Sequence, residues 1–402
     1  MKWPKAKLAD FFRVKHGFAF KSEFFDTAGP YALLTPGNFH ETGGFRERGE
    51  KQPYYTGDVP PAFILSEDDL IVAMTEQEHG LLGSSAWIPE SNRYLHNQRL
   101  GRIVDLDETR LHKRFLYYLF NTREVRAQIS GSASGTKVRH TAPERIGRVE
   151  VTLPPLDEQR RIAEVLTAYD AMMENNRRRM GLLEEAARLL YREWFVRLRF
   201  PGHEHTRITN GVPQGWERKV LGDICDDIRE IVSPENLEPD SPYIGLEHIP
   251  RRSISLGEWG KVEDVTSSKS RFKTGDILFG KIRPYFHKVG IAFTDGVASS
   301  DAIVIRPNDD ELRSFVLLTV SSDEFVAEAS QTMREGSKMP RADWKLMTKY
   351  SVALPPRGLL ESFSGTVSAI TDQLRTLCFQ TQKLRAARDL LLPRLMSGAI
   401  AV

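Results

Sequence analysis

The sequence has little of several features that assign many proteins to a class at first sight. Only two cysteines occur in 402 residues, Cys225 and Cys378, and their spacing matches no zinc or redox motif. No stretch approaches the ~18 consecutive apolar residues that span a bilayer, and the first residues lack the apolar core of a signal peptide. These absences predict a soluble protein of the cytoplasm without a membrane partner.

Motifs for catalysis are missing as well. The sequence contains no GxxxxGK[ST] loop, no GxGxxG turn and no Asn/Asp-Pro-Pro-Tyr/Phe motif of the kind that holds a flipped adenine. His203 and His205 form the only close histidine pair, and they stand in a Pro/Gly linker without further metal ligands. We therefore predict a chain that is not an enzyme by itself and uses no cofactor and no metal.

The charge balance excludes a protein that is basic throughout. The net charge is only +2, so any basic surface for nucleic acid must be local. Hydrophobic residues make up 40% of the chain, which is enough apolar material for folded cores. A length of 402 residues predicts two or three domains.

An internal repeat is the most informative feature that is present. The tripeptide Gly135-Thr136-Lys137 recurs as Gly336-Ser337-Lys338 at an offset of 201 residues, and VTLPPL at 151–156 recurs as VALPPR at 352–357. Each half therefore contains a mixed segment, then Leu-Pro-Pro, then a long helical stretch. We interpret the chain as a duplicated unit of one domain and one helix.

The mixed segments predict two similar α/β domains and an α+β fold overall. Short apolar runs such as DLIVAM, DILFGK and DAIVIRP are rich in β-branched residues and bounded by turn formers, which is typical of strands. Helical spacing appears at 110–129 and 309–329. We place the domains at residues 1–152 and 201–355.

Two heptad patterns predict long helices within residues 153–200 and 356–402. The seam of the first comprises Ile162, Leu166, Tyr169, Met173, Asn176, Met180, Leu183, Ala187, Leu190 and Trp194, and the seam of the second comprises Phe363, Val367, Ile370, Leu374, Leu377, Thr381, Leu384, Arg388, Leu391 and Leu395. Steps of four and three residues make a narrow stripe that packs best on another helix. The alternative is a pair of ordinary core helices.

Polar residues in the two seams predict how the helices pair. An antiparallel register that sets Asn176 opposite Thr381 also sets Ile162 opposite Leu395 and Trp194 opposite Phe363. A slip by one heptad places Asn176 against an apolar or charged residue, which costs free energy. The predicted architecture is two similar domains separated by an antiparallel coiled coil, with pseudo-twofold symmetry.

Two similar domains held at a fixed distance suit the reading of two separated stretches of one DNA duplex. Dimeric DNA-binding proteins achieve this with two chains, and the geometry of the protein sets the spacing. Here one chain carries both domains, so the halves can differ. The predicted target is therefore bipartite and asymmetric.

Several motifs, taken with the repeat, resemble the specificity subunits of Type I restriction-modification systems. They are LPPLDEQRRIA at 153–163, EWF at 193–195, FPG at 200–202, PQGW at 213–216 and GKIRPY at 280–285. The resemblance covers essentially the whole chain, although PRGL at 356–359 departs from the Leu-x-Glu-Gln pattern in the second copy. It implies two target recognition domains and two spacer helices.

The resemblance also implies a set of partners. They are double-stranded DNA, two modification subunits that bind S-adenosylmethionine and methylate adenine, and restriction subunits that hydrolyse ATP and translocate DNA. The resemblance therefore predicts that this chain directs adenine methylation and restriction without catalysing either.

Three groups of small, polar and basic residues are candidates for DNA contact, because backbone N–H groups, lysine and arginine bind phosphates and guanine edges. They are Gly135, Thr136, Lys137 and Arg139; Lys281, Arg283, Tyr285, His287 and Lys288; and Gly336, Ser337, Lys338 and Arg341. The alternative for each group is an ordinary surface loop. Where the second domain has the basic group at 281–288, the first domain has an acidic stretch at 75–79. The Glu and Gln side chains of this acidic stretch offer hydrogen-bond partners for cytosine and adenine.

Two other functions fit parts of the sequence. A coiled-coil scaffold explains the helices without DNA, and a nuclease with an unrecognised site explains the domains. DNA binding that weakens steeply with increasing salt favours a DNA-reading protein over the coiled-coil scaffold. DNA cleavage by the purified chain alone identifies the second.

Overall fold

The computed structural model describes residues 3–77, 80–262, 266–333 and 339–402. The chain forms two compact units: unit 1 comprises residues 1–171 and 385–402, and unit 2 comprises residues 172–384. Helices and antiparallel sheets occur in both units, which confirms the predicted α+β class.

Helices of very different lengths occur in the described part of the chain. They are α1 (Lys113–Phe120), α2 (Arg123–Gly131), α3 (Pro143–Gly147), α4 (Leu156–Tyr191), α5 (Arg313–Val320), α6 (Asp323–Gln331), α7 (Trp344–Met347) and α8 (Arg357–Met396). No helix in these ranges is long and apolar enough to cross a membrane. The helices α4 and α8, of 36 and 40 residues, confirm the two long helices predicted from the heptads.

The strands of unit 1 precede its long helix. They are β1 (Lys5–Lys7), β2 (Arg13–His16), β3 (Phe25–Asp26), β4 (Tyr31–Leu33), β5 (Tyr54–Tyr55), β6 (Leu70–Ala73), β7 (Thr75–Glu76), β8 (Ser85–Trp87), β9 (Tyr94–Leu95), β10 (Leu100–Val104), β11 (Arg139–His140) and β12 (Glu150–Thr152). They form two four-stranded sheets, β2-β10-β6-β8 and β3-β5-β4-β9, and the pairs β1-β12 and β7-β11.

The strands of unit 2 repeat this plan. They are β13 (Ile208–Thr209), β14 (Val212–Pro213), β15 (Glu217–Val220), β16 (Cys225–Asp227), β17 (Ile231–Val232), β18 (Tyr243–Ile244), β19 (Ser255–Leu256), β20 (Lys269–Phe272), β21 (Ile277–Gly280), β22 (Val289–Ala292), β23 (Gly296–Ala298), β24 (Ala302–Pro307) and β25 (Ser351–Leu354). The order β16-β24-β21-β22 matches β2-β10-β6-β8 of unit 1, with β19 added at the edge. The structure therefore confirms the internal repeat.

The two cores are built from corresponding residues. All four residues of β6 and all four of β21 are buried, which is why these segments read as continuous apolar runs. Against the sheets pack Phe115 of α1 in unit 1 and Phe315 of α5 in unit 2. The next helix in each unit starts at a hydroxyl N-cap, Thr122 for α2 and Ser322 for α6, which satisfies a backbone N–H of its first turn.

The predicted helix register is confirmed in both units. In unit 2 the Nδ2 of Asn176 donates to the Oγ1 of Thr381 at 3.3 Å, and the rings of Trp194 and Phe363 lie 5.7 Å apart. In unit 1, Ile162 and Leu395 are buried in one hydrophobic cluster. Because the pairs run in opposite directions along the chain, the helices are antiparallel where they pack.

The first long helix ends earlier than the predicted bound at residue 200. Its α-helical hydrogen bonding stops at Tyr191, and a π-helical turn covers 192–196. The wider turn brings two consecutive side chains onto one core: Trp194 packs on Phe363, and Phe195 lies 4.7 Å from the same ring.

The two copies attach their helices to their domains by different contacts. In unit 1 the buried amide of Gln159, in the LPPLDEQ motif, accepts from His112 N at 2.8 Å and donates to the carbonyls of Arg110 and Pro154. The repeat position in unit 2 is the buried Leu360. There the Ser364 hydroxyl donates to the Glu311 carbonyl instead. The departure of the second copy from the motif thus has a structural consequence.

Replacing both Asn176 and Thr381 by leucine is expected to raise the free energy of unfolding of the helix pair by about 1–2 kcal/mol, because an apolar seam layer is more stable than a polar one. The single change Thr381→Leu is the control, and it is expected to destabilise because it leaves the buried Asn176 amide without its partner. Thermal unfolding of the two variants checks this. A double variant less stable than the single one contradicts the assigned layer.

Both cysteines are structural. Cys225 and Cys378 are buried in unit 2. Burial raises the pKa of each thiol to about 12, so neither forms a thiolate at neutral pH, and reactivity requires the thiolate.

Candidate nucleic-acid interface

The second group of candidate residues lies on the loop that joins β21 to β22. The backbone N–H of Arg283 donates to the Pro340 carbonyl at 2.9 Å, and that of Ala342 donates to the Lys281 carbonyl at 2.8 Å. Segments 281–283 and 340–342 therefore lie side by side. The structure brings Lys281, Arg283 and Arg341 onto neighbouring backbones, although Arg341 belongs to another sequence group.

The side chains of this loop divide into outward and inward sets. Arg283 and Tyr285 are exposed, and Tyr285 has an exposed fraction of 53%. The backbone at Arg283 is left-handed, with φ of 48°, a conformation that non-glycine residues rarely adopt and that occurs often at functional sites. These two residues are therefore available to a ligand.

His287 and Lys288 point into the protein. His287 is 4% exposed, and its Nε2 donates to the Ser321 carbonyl at 2.8 Å; burial lowers the pKa of the ring, which favours the neutral form. The Nζ of Lys288 donates to the Leu246 carbonyl, and burial lowers its pKa as well. Both side chains therefore attach the loop to the body of unit 2 through these hydrogen bonds.

A cleft of about 490 Å³ borders this loop in unit 2. Lys281 and Arg341 line it, and Arg341 also pairs with Asp301 at 3.0 Å. Three further lining residues suit nucleic acid and were missed by the sequence analysis: Arg229, Trp344 and Lys345. No motif or repeat marks them, since only the fold brings these segments together.

In unit 1 the first candidate group forms a tight loop. Ser134 and His140 exchange backbone hydrogen bonds of 3.0 and 2.8 Å across it. Gly135 has φ of 100°, and a Cβ there lies 2.1 Å from the Val138 carbonyl oxygen, so only glycine fits. Thr136 and Lys137 are exposed at the tip of the loop.

Arg139, the last member of this group, is engaged within the protein. Its Nη1 lies 3.2 Å from the Oε1 of Glu76 and 2.9 Å from the Ser130 hydroxyl. Glu76 is 3% exposed, and its other oxygen accepts the backbone N–H groups of Gly80, Leu81 and Leu82 at 2.9–3.1 Å. Reading of cytosine by Glu76 is therefore ruled out, because the carboxylate is buried and its oxygens are occupied.

The two units share one arrangement at these positions. In unit 1, β7 pairs with β11 so that Thr75 faces His140. In unit 2, Ile282 and Arg341 form the corresponding bridge. Each unit thus brings the end of its central strand beside the segment that follows, in sequence, its copy of the Gly-Thr-Lys or Gly-Ser-Lys tripeptide. Gly336, Ser337 and Lys338, and also Glu78 and His79 of the acidic stretch, lie outside the described residues.

The fold and these sites define a class: a duplicated α+β protein in which each half pairs the end of a central strand with a second segment that carries an arginine, Arg139 in unit 1 and Arg341 in unit 2. Residues 1–185 match the family model described as Type I restriction modification DNA specificity domain. The resemblance to a specificity subunit, and not to an enzyme, is confirmed by this match and by the relatives.

Relatives of the chain carry the same description in their names. The MjaIX specificity subunit of Methanocaldococcus jannaschii is 22% identical, and the match covers 76% of this chain and 73% of that relative. The EcoDI and EcoBI specificity subunits of Escherichia coli are 24% and 25% identical over 60% and 69% of this chain. The chain spans 59% of the length of each of these two E. coli relatives.

A solved structure shares the fold. It is the crystal structure of a Type I restriction-modification S subunit from M. genitalium, with a TM-score of 0.59 and 16% identity over 98% of this chain and 96% of that chain. The likeness shows a common fold along nearly the full length.

Proposed function

We propose that the chain reads a bipartite, asymmetric DNA target and directs adenine methylation and restriction by partner subunits in the cytoplasm. The observation that carries this is the duplicated arrangement in which Thr75 faces His140 and Ile282 faces Arg341. A repeated reading site on non-identical halves suits two different half-targets. Residues 1–152 and 201–355 are the proposed recognition domains, and 153–200 and 356–402 the proposed spacers.

The candidate residues take different roles in this proposal. Arg283 and Tyr285 are exposed and contact base edges or the sugar-phosphate backbone, with Lys281 and Arg341 beside them on the cleft. Thr136 and Lys137 serve unit 1, and the repeat assigns Gly336, Ser337 and Lys338 the same part in unit 2. Four other candidates stabilise the conformation of the two loops: Gly135, Arg139, His287 and Lys288.

The proposed partners are double-stranded DNA, two modification subunits and the restriction subunits. They supply the chemistry for which the sequence has no motif. The names of the relatives, such as the MjaIX specificity subunit, support this set of partners.

Sequencing of methylated adenines in cells that express the chain with its modification subunit tests the function. An asymmetric motif in two parts is the expected result. A symmetric or absent motif contradicts the proposal, and DNA cleavage by the purified chain alone supports a nuclease instead. Failure of the complex to show salt-dependent DNA binding supports a scaffold.

Changing Arg283 to alanine is expected to weaken binding by about 1–3 kcal/mol and to relax the target at one position of one half only, as loss of an arginine–guanine contact does. The matched control is Arg218→Ala, an exposed arginine on β15 of the same unit. Binding to a panel of single-base variants of the target measures both effects. A uniform loss over all sequences assigns Arg283 to phosphate contact and contradicts base reading.

A further inference from the structure

A small pocket of about 110 Å³ in unit 2 is bordered by buried polar atoms that have no hydrogen-bond partner among the residues that the structure describes. It lies between α4, the Arg252 segment, His287 and the start of α6. The Arg188 Nε and the Ser321 Oγ border it, are buried, and find no hydrogen-bond partner among the described residues. A buried donor without a partner costs free energy, so two at one pocket indicate a ligand or ordered solvent.

The charges around the pocket favour an anion. Three arginines line it, Arg188, Arg192 and Arg252, against the carboxylates of Asp323 and Glu324. The Nη2 of Arg188 also donates to the Arg252 carbonyl at 2.7 Å and lies 3.9 Å from the Glu184 carboxylate, so Arg192 is the arginine of the pocket without an ion-pair partner among the described residues. The Asp323 carboxylate is already paired with Arg252 at 2.8 Å. The first turn of α6 also borders the pocket, and a helix N-terminus attracts negative charge.

Ser321 is the most specific indicator. Ser321 is only 3% exposed, yet its hydroxyl has no hydrogen-bond partner among the described residues. Its backbone carbonyl is the acceptor for His287 Nε2 at 2.8 Å. His287 Nδ1 is a third unpartnered atom, and it lies 3.4 Å from the Asp323 carboxylate. In the neutral ring this atom carries no proton, so Arg188 and Ser321 are the buried donors.

The repeat shows that this pocket belongs to unit 2 alone. At the offset of 201 residues, Arg188 and Arg192 correspond to Asp389 and Pro393. The counterpart of Ser321 is Asn121, because each of these residues directly precedes the N-cap of the second helix of its unit, Ser322 of α6 and Thr122 of α2. Unit 1 therefore lacks the arginines that make the pocket basic, and the feature is not a general requirement of the fold.

The pocket is directly connected to the candidate DNA loop. His287 is part of both, and the backbone N–H of Arg252 donates to the His287 carbonyl at 2.9 Å. A group bound there lies next to the segment that carries Arg283 and Tyr285. Its volume admits a group of a few heavy atoms and excludes a nucleobase.

We propose that this pocket binds one phosphate group of the DNA backbone beside the second half-target, with Arg188, Arg192 and the Ser321 hydroxyl as ligands. The inference rests on the proposed DNA-reading function and goes beyond it by assigning a phosphate contact that only one half of the chain makes. Phosphate contacts set the position of a protein on the duplex and carry no sequence information.

The test uses the full chain in complex with its modification subunit. Arg192→Gln is expected to weaken binding to all DNA sequences alike and to flatten the slope of log K against log salt by about one unit, as loss of one phosphate contact does. Arg197→Gln, an exposed arginine next to the same turn but outside the pocket, is the matched control and leaves the slope unchanged.

Ser321→Ala is the second variant, because it removes a hydroxyl without a protein partner and so should leave thermal unfolding unchanged. It is expected to lower affinity about tenfold with no change in slope, since the lost donor carries no charge. Titration of the wild-type chain with inorganic phosphate is the second measurement. If inorganic phosphate binds but the Arg192 and Ser321 variants keep the wild-type DNA affinity and the wild-type slope of log K against log salt, the pocket is a site for a free anion. That result overturns its assignment to the DNA backbone.

If the two variants bind DNA as the wild type does and the wild-type chain binds no inorganic phosphate, the proposal is overturned and the pocket holds only water. In both cases the wild-type complex still shows salt-dependent, sequence-specific binding if the proposed function is correct. Failure of the pocket and failure of the function are therefore distinguishable.

Discussion

Exchange of residues 1–152 for the matching segment of a relative with another target is expected to replace one half of the methylated motif and leave the other half unchanged. Each unit has its own sheets, and every strand pair in the described ranges joins strands of one unit. The candidate contacts of unit 1 lie on β7, β11 and their loop, and those of unit 2 on its own segments. Base contacts should therefore be exchangeable as a block.

The structure also indicates which contacts such a chimera must keep. The exchanged segment meets the first helix through Gln159, whose amide bonds the backbone of Arg110 and His112, and through the Tyr118 hydroxyl, which donates to Asp170 at 2.7 Å. Asp170 in turn pairs with Arg388 at 2.8 Å. Donor segments with tyrosine at position 118 are expected to fold.

Sequencing of methylated adenines measures the outcome of the exchange. A chimera that carries Tyr118→Phe is the control, because it keeps the ring and removes only the hydrogen bond to the helix. Changes in both halves of the motif in a well-folded chimera contradict the independence of the two units.

Substitution of Glu76 by alanine is expected to destabilise unit 1 by about 3–5 kcal/mol and to abolish recognition of the first half-target. The change leaves the N–H groups of Gly80, Leu81 and Leu82 without their acceptor and the Arg139 guanidinium without its counter-ion. A loss of this size is expected because three backbone N–H groups lose their acceptor and the Arg139 side chain, which is 23% exposed, loses its counter-ion. Glu76→Gln keeps an acceptor and should cost less.

Denaturant unfolding of the chain gives the stability change, and binding to the two half-targets gives the functional one. The matched control is Glu90→Ala, which removes an exposed glutamate of the same unit that pairs only at the surface with Arg93. Its effect should stay below about 1 kcal/mol. Equal stability of the Glu76 and Glu90 variants contradicts the anchoring role of Glu76.

Local periodicity was sufficient to predict the helical part of this protein. Apolar residues at alternating spacings of four and three residues identified α4 and α8. The rule that a buried polar residue pairs with another polar residue selected the pairing of Asn176 with Thr381 that the structure contains. A heptad pattern is readable because each residue of a helix has a fixed direction relative to its neighbours. The domain interiors offer no such rule, and their strand orders appeared only in the structure.

The candidate sites show where sequence reasoning stopped. The repeat drew attention to the loop before β11, where Gly135-Thr136-Lys137 has a second copy, and the basic residues Lys281 and Arg283 drew attention to the loop after β21. It could not separate the exposed Arg283 from the buried His287 four residues later. That difference depends on left-handed backbone at both positions and on the Ser321 carbonyl, which is distant in sequence.

The sequence by itself determined the duplication, the α+β class, the two long helices with their register, and the resemblance to specificity subunits, whose family model matches residues 1–185. These depend on periodicity and on recurring motifs, which are local or repeat at a constant offset. Only the tertiary structure decided that Glu76 is an internal anchor, that Arg229, Trp344 and Lys345 share a cleft with Lys281, and that Ser321 borders a basic pocket. Burial and hydrogen-bond partners come from segments far apart in the chain, so no local pattern encodes them.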